Sequence, residues 1–302
     1  MAISRAQMMK ELLPGLNALF GLEYAKYDDE HKEIYEVESS DRAFEEEVKL
    51  SGFGSAPVKS EGSAITYDTA QEHFTARYNH ETVAMGFSIT EEAVEDNLYD
   101  SLSARYTKAL SRSMAYTKQV KGAAPLNNGF GTFLGGDGVA LFSASHPLVS
   151  GGTNRNLPTV ASDLNETSLE QAAIDIAAFT DERGLLIAAT PRKLVIPPQL
   201  MFIATRILDT EQRPGTADND INALRNNGTI PEGYRVNHYL TDTNAWFLIT
   251  DVPNGMKMFD RVPLQTGMDG DFDTGNVRYK ARERYSFGVS DPLGIYGSAG
   301  TS

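Results

Sequence analysis

The sequence predicts an α+β protein whose helices and strands occupy separate stretches, several of them too extended for one compact globule. Three observations carry that expectation. Residues from Phe44 to Tyr78 alternate like a long two-stranded ribbon, Val94 to Met114 hold an unbroken helical stripe, and Val277 to Val289 form a strand of regular alternation.

The chain has 302 residues, of which 41% are hydrophobic, enough for a sizeable core and against wholesale disorder. Charge is 27 − 41 = −14, and an acidic surface repels phosphate, which disfavours a general nucleic-acid or anionic-membrane binder. Cysteine is absent, so no disulfide framework, thiolate metal site or cysteine nucleophile exists. The longest apolar stretches, such as Leu185–Ala189 and Trp246–Ile249, are strand-sized, which predicts a soluble chain with no membrane span.

The elements follow in order. Met1 to Leu22 contains Arg5, Lys10 and an apolar run to Phe20, but Glu11 and Pro14-Gly15 interrupt it. It reads as an amphipathic arm that docks on something, not as a signal peptide. After a charged stretch, Phe44, Val48 and Leu50 share one side of a strand, and Ser51–Gly62 is a polar, flexible tip. Alternation returns at Ile65/Tyr67 and Phe74/Ala76/Tyr78, closing a ribbon that needs a partner surface. Thr90 caps a helix with Glu91 and Glu92 in its first turn, and nothing stops it until Gly122 and Pro125.

Residues 126–165 are loop-rich, and Gly129–Gly136 reads as a mobile loop without a phosphate-binding pattern. Ser168 with Gln171 forms a capping box before a helix ended by Gly184. Lys193–Ile196 is a strand, Pro197-Pro198 opens another helix, and Asp209–Asn227 is mostly polar loop with a short helical turn. Strands are expected near Arg235–Leu240, Ala245–Thr250 and Lys257–Val262 before the final one.

Catalytic patterns are scarce. His73 and His80 are spaced for a helix face but lie in a strand, and Ser145-His146 adjacency points two neighbours apart. Asp269, Asp271 and Asp273 alternate like the front of a calcium loop, yet Gly275 falls one position late and Lys280 stands where a bidentate Glu belongs. A turn before the last strand is the simpler reading.

Certain stretches resemble the major capsid (head) proteins of tailed bacteriophages, whose fold is shared with herpesviruses. They are Arg213–Asp220, Asp242–Phe247, Gly270–Asn276, Tyr279–Gly288 and Asp291–Gly297. The resemblance implies an extended N-terminal arm over 1–40 and an E-loop hairpin over 41–87. A peripheral domain with a spine helix would span 88–165 and 256–290, and an α/β axial domain 166–255 and 291–302. It further implies hexamers and pentamers in an icosahedral shell around double-stranded DNA that is not read by sequence. Other implied partners are a portal protein, a decoration protein and a separate scaffolding protein, since the E-loop begins too early to leave room for a fused scaffold. Assembly in the host cytoplasm, a place in the virion, and no enzyme activity, metal or cofactor complete the expectation. An encapsulin-type shell around protein cargo is the alternative within the fold. A metal-dependent hydrolase using Asp269, Asp271 and Asp273 is the alternative outside it.

Candidate contacts between subunits are Glu45, Glu46, Glu47, Phe53 and Lys59 on the ribbon, and Arg278, Lys280, Arg282 and Arg284 on the last strand. A regular strand points those four cations to one side, where they repel unless something negative lies opposite. Acids of the same subunit, a neighbour's Glu45–Glu47 strand, or DNA would serve. Some relatives crosslink an E-loop lysine to a neighbour's asparagine. Lys59 is the tip lysine here, and that chemistry needs a desolvated amine beside an acid.

Overall fold

A computed structural model describes residues 5–90, 92, 99–212, 220–271 and 274–301. The first described element is helix α1 (Arg5–Tyr24), in the stretch read as an amphipathic docking arm. Leu13, Leu16, Phe20 and Tyr24 recur every three or four residues, and this stripe seats α1 on the long helix α2 (Tyr99–Asn127). Leu16 and Phe20 meet Leu110 and Met114 there, so the arm obtains burial from its own subunit. A 3-10 turn, Glu30–Glu33, leads into strand β1 (Glu36–Ser39).

The first sheet has the order β1-β10-β11-β4, built from β4 (Glu81–Ile89), β10 (Met256–Gly270) and β11 (Val277–Val289). β1 runs parallel to β10, and the other pairings are antiparallel. On β11, Val277, Tyr279, Ala281, Glu283 and Tyr285 are buried on the side that carries α1 and α2, while Arg278, Lys280 and Arg282 are exposed on the other. β10 is much longer than the Lys257–Val262 strand expected. Pro263 cannot donate to the ladder, and the register slips on both sides of Val262, bending the strand and letting it continue.

Helix α2 runs through Gly122 and Pro125, both expected to end it; its 29 residues extend about 44 Å. A Cβ on Gly122 would sit 3.0 Å from His31 Cβ, so glycine here admits the Glu30–Glu33 turn. Pro125 lies in the last turn, where it costs one amide donor, to the carbonyl of Lys121, with little helix left beyond it to kink. The start expected at Thr90, with Glu91 and Val94, lies largely outside the described residues.

The second sheet has the order β12-β9-β7-β8, from β7 (Pro191–Ile196), β8 (Tyr234–Val236), β9 (Trp246–Thr250) and β12 (Ile295–Ser298). Both of its faces are covered. Leu194, Ile196, Trp246 and Leu248 pack on α3 (Glu166–Ala177) and α4 (Met201–Leu208). Val195 and Phe247 point the other way, toward Leu126, Met258, Tyr285 and Val289 of the first sheet and α2. α5 (Ala223–Asn226) closes the loop between α4 and β8. The box at the start of α3 is one turn earlier than expected: Asn165 Oδ1 accepts from Ser168 N at 2.8 Å, and Ser168 Oγ accepts from Asn165 N at 3.0 Å. α3 ends at Ala177, well before Gly184.

The ribbon is formed by β2 (Phe44–Leu50) and β3 (Glu72–Asn79). Its strands stop short of the expected Ile65 and Tyr67, which lie exposed in a strandless tip. The remaining pair, β5 (His146–Pro147) and β6 (Thr153–Asn154), is short. Gly129–Gly136 packs as a defined turn rather than a loose loop, with Leu141 N donating to Phe133 O at 3.1 Å.

Candidate assembly surface

The ribbon has two chemically opposite faces. Period-two geometry puts Phe44, Glu46, Val48 and Leu50 on one side and Glu45, Glu47 and Lys49 on the other. The apolar side faces out: Val48 is 46% and Leu50 62% exposed. The charged side faces the subunit, inverting the usual arrangement.

Shape fixes the base of the ribbon. A Cβ on Gly288 of β11 would come within 2.5 Å of the Tyr78 ring, and one on Gly136 within 2.9 Å of the Ala76 backbone. These two glycines let β3 lie directly on the first sheet and on the glycine-rich turn. Tyr78 packs edge-on against Phe259 at 4.8 Å. Its hydroxyl donates to Ser290 Oγ, which in turn donates to Glu47. The ribbon therefore covers the Ser286–Gly288 end of the outer face of β11 and leaves the Arg278–Arg282 end open.

Charge completes the hold. Lys257 Nζ, with its side chain only 5% exposed, joins Glu47 of the ribbon and Glu38 of β1. Burial opposes that charge, but the hydrogen bonds the ammonium donates to the two carboxylates outweigh it and raise the lysine's pKa. Lys49 Nζ meets Asp291 at 2.8 Å and Glu182 at 2.9 Å, and those acids likewise overcome burial and raise its pKa. A cavity of about 490 Å³ lies along this side of β2, lined by Glu47, Lys49, Asn254, Ser290 and Asp291. Asp68 of the tip pairs with Arg183, and backbone hydrogen bonds from Gly54, followed by that guanidinium, hold its carboxyl at about 2.

The expected contact residues separate accordingly. Glu45 turns inward to Ser40 Oγ at 2.7 Å and Arg42 at 3.7 Å, and Glu47 is taken by Lys257. Glu46 faces out beside Arg77, which stacks over Phe44 at 4.0 Å. Phe53 and Lys59 are exposed in the tip. In the cationic row, Arg278 reaches Asp271, and Arg284 is half-buried with a hydrogen bond to Ala43 O at 3.4 Å. Lys280 and Arg282 are exposed with no ion pair among the described residues. Lys280 lies along Gly267, its Cε within 3.6 Å of where a Cβ there would be. The facing strand β4 contributes Thr82, Ala84, Gly86 and Ser88, all small.

No catalytic arrangement accompanies this surface among the described residues. His146 is buried with Nδ1 on Asp137 at 2.6 Å and Nε2 on Asn156 at 3.1 Å, occupied away from Ser145. His73 and His80 point to different partners, Pro147 O and the Ser40/Ser286 hydroxyls. Asp271 belongs to a turn closed by Gly275 N donating to Asp271 O at 3.0 Å, and Asp273 lies outside the described residues. Sequence reasoning missed Lys49, Lys257, Glu182 and the Asp68–Arg183 pair. Alternation placed Lys49 on the ribbon's charged side but gave no sign of its distant partners.

Residues 74–298 match the family described as phage capsid protein. None of the curated proteins compared with the chain matches it. Among solved structures, the capsid of an empty GTA particle is similar at TM-score 0.56 and 16% identity, covering 89% of each chain. The capsid of the myovirid phage XM1 is similar at TM-score 0.54 and 13% identity, over 88% of this chain and 90% of that one. A Synechococcus elongatus encapsulin, SrpI, reaches TM-score 0.53 at 8% identity, over 89% and 86%. At these identities the likeness establishes a shared fold.

Proposed function

We propose, from the premise that this chain belongs to the phage capsid protein family, that it is the major shell subunit of a phage head. In this reading it assembles as hexamers and pentamers into an icosahedral shell around double-stranded DNA, with portal, scaffolding and decoration proteins as partners. The observation that carries the reading is the outward apolar side of the ribbon, with Val48, Leu50, Phe53, Val58 and Tyr67 all exposed. That much exposed apolar surface on one projecting hairpin is what a second copy of the chain would cover. The role is structural, and the arm, E-loop, peripheral and axial divisions expected from the sequence describe how the work is shared.

The open end of the cationic row suits a neighbour's ribbon, whose outward residues include Glu46. Reversing Lys280 and Arg282 to Glu should cut particle yield at least about tenfold with unchanged far-UV circular dichroism, and Glu46→Lys should restore part of it. Rescue by no Glu46 variant would assign the row another partner. The encapsulin-like fold supports a second reading, a shell around protein cargo. Purified particles from the native source distinguish them: nuclease-protected DNA supports the head, and a stoichiometric protein cargo without DNA supports the compartment.

A further inference from the structure

The distal half of the ribbon is not held as its base is. The ribbon's only members in a buried apolar cluster among the described residues are Ala76 and Tyr78 at its base, with Phe259. Beyond them, toward the tip, Phe74 rests on Gly136, His73 reaches Pro147 O and Lys49 reaches Asp291, and the remaining ionic contacts meet at one short turn after α3, Asp181–Gly184. Asp181 Oδ1 accepts from Arg183 N at 2.9 Å and from Leu185 N at 2.8 Å, and Gly184 takes φ +83, which fixes the turn. Two adjacent residues of opposite sign then project toward the ribbon. Glu182, 5% exposed, meets Lys49 of β2 at 2.9 Å. Arg183 holds both carboxylate oxygens of Asp68, at 2.8 and 3.0 Å. Asp68 in turn accepts from Gly54 N at 2.8 Å, drawing the two sides of the tip together. Glu182 keeps one buried oxygen, Oε2, without a hydrogen bond, 3.5 Å from His73 Nε2, which donates to Pro147 O.

We propose that the turn Asp181–Gly184 is a charge clasp that fixes the pitch of the ribbon on its own subunit, so that the apolar outer side is presented in one preset direction. Alternating signs make the hold specific, because a ribbon shifted by one contact would face like charges. Contacts made chiefly by charges also make it releasable. The purpose of the clasp rests on the shell reading; the clasp itself is a property of the free chain and is tested there.

The test is hydrogen exchange of the free, full-length protein below its assembly concentration. Arg183→Asp should speed exchange of the Ser51 and Gly54 amides by about tenfold or more, while Ala76–Tyr78 amides stay unchanged and report an intact base. Adding Asp68→Arg should bring Ser51 exchange back to within about threefold of the parent by restoring the pair with its signs swapped, while Gly54, whose acceptor is the Asp68 carboxylate, stays fast. Asp68→Asn, a substitution at a largely exposed side chain, should loosen the tip in the same direction without endangering the fold. Unchanged exchange at Ser51 and Gly54 in both Arg183→Asp and Asp68→Asn overturns the clasp, whether or not the protein assembles. A parent protein that never assembles, with exchange responding as described, overturns the shell reading and leaves the clasp standing.

Discussion

Replacing Gly288 with alanine should unseat the ribbon from the first sheet. The new Cβ would lie 2.5 Å from Tyr78 Cε1 and 2.9 Å from Cδ1, well inside contact distance. The ring cannot turn aside. It is 2% exposed, packed edge-on against Phe259, and tied through its hydroxyl to Ser290. Relief requires lifting Tyr78, which forfeits about 1.5–3 kcal/mol of burial, about 0.5–1.5 kcal/mol of ring pairing and about 1 kcal/mol of hydrogen bonding. Partial relaxation reduces the total, giving an expected loss of about 3 kcal/mol. Urea denaturation of the parent, Gly288→Ala, Tyr78→Ala and the double variant measures this. Without the ring the alanine has nothing to strike, so the double variant should be no less stable than Tyr78→Ala alone. A Gly288→Ala protein within about 0.5 kcal/mol of the parent, or single effects that simply add, would refute the packing argument.

Other outcomes follow from the same geometry. Val48→Thr with Leu50→Gln should leave stability within about 0.5 kcal/mol, because both side chains are exposed, while sedimentation shows particle formation falling steeply. A lowered urea midpoint would instead place those residues in the subunit's own core. His31 is buried, and burial pushes its pKa down to about 4, with Gln119 Nε2 donating to its Nδ1 at 3.0 Å. The unfolded chain takes up that proton near 6.5, so this contribution is complete above about pH 6.5 and is lost as pH falls toward 4, by at most about 3 kcal/mol. His31→Gln should flatten thermal unfolding over that window; an identical pH slope in the variant would contradict the assignment.

The last strand was legible because both of its sides are marked, aromatic and aliphatic residues on one and cations on the other. Likewise the strand β9 and the helix bearing Ala172 and Ile176 declared themselves through local periodicity. The ribbon was legible as a strand pair but not in its orientation. Phe44, Val48 and Leu50 look like an inner side, and what turns Glu45, Glu47 and Lys49 inward lies far along the chain, at Lys257, Glu182 and Asp291. Glycine-rich composition suggested mobility at Gly129–Gly136, whereas Gly136 is glycine because Ala76 rests on it. In the arm, Pro14-Gly15 signals a break in the apolar run, yet the Leu13–Tyr24 stripe had a long helix waiting for it and docking outweighed the local cost. The family was visible in segments whose spacing needs no tertiary knowledge. The buried ion pairs of the ribbon were not, since pairing between distant charges leaves no trace in local pattern.

The central claim is that this chain builds a shell, and imaging the purified full-length protein tests it most directly. Negative-stain microscopy with light scattering across concentration and salt, with and without co-expressed scaffold, should reveal capsomers, closed shells or tubes. A monodisperse monomer near 33.0 kDa under every condition would contradict the account.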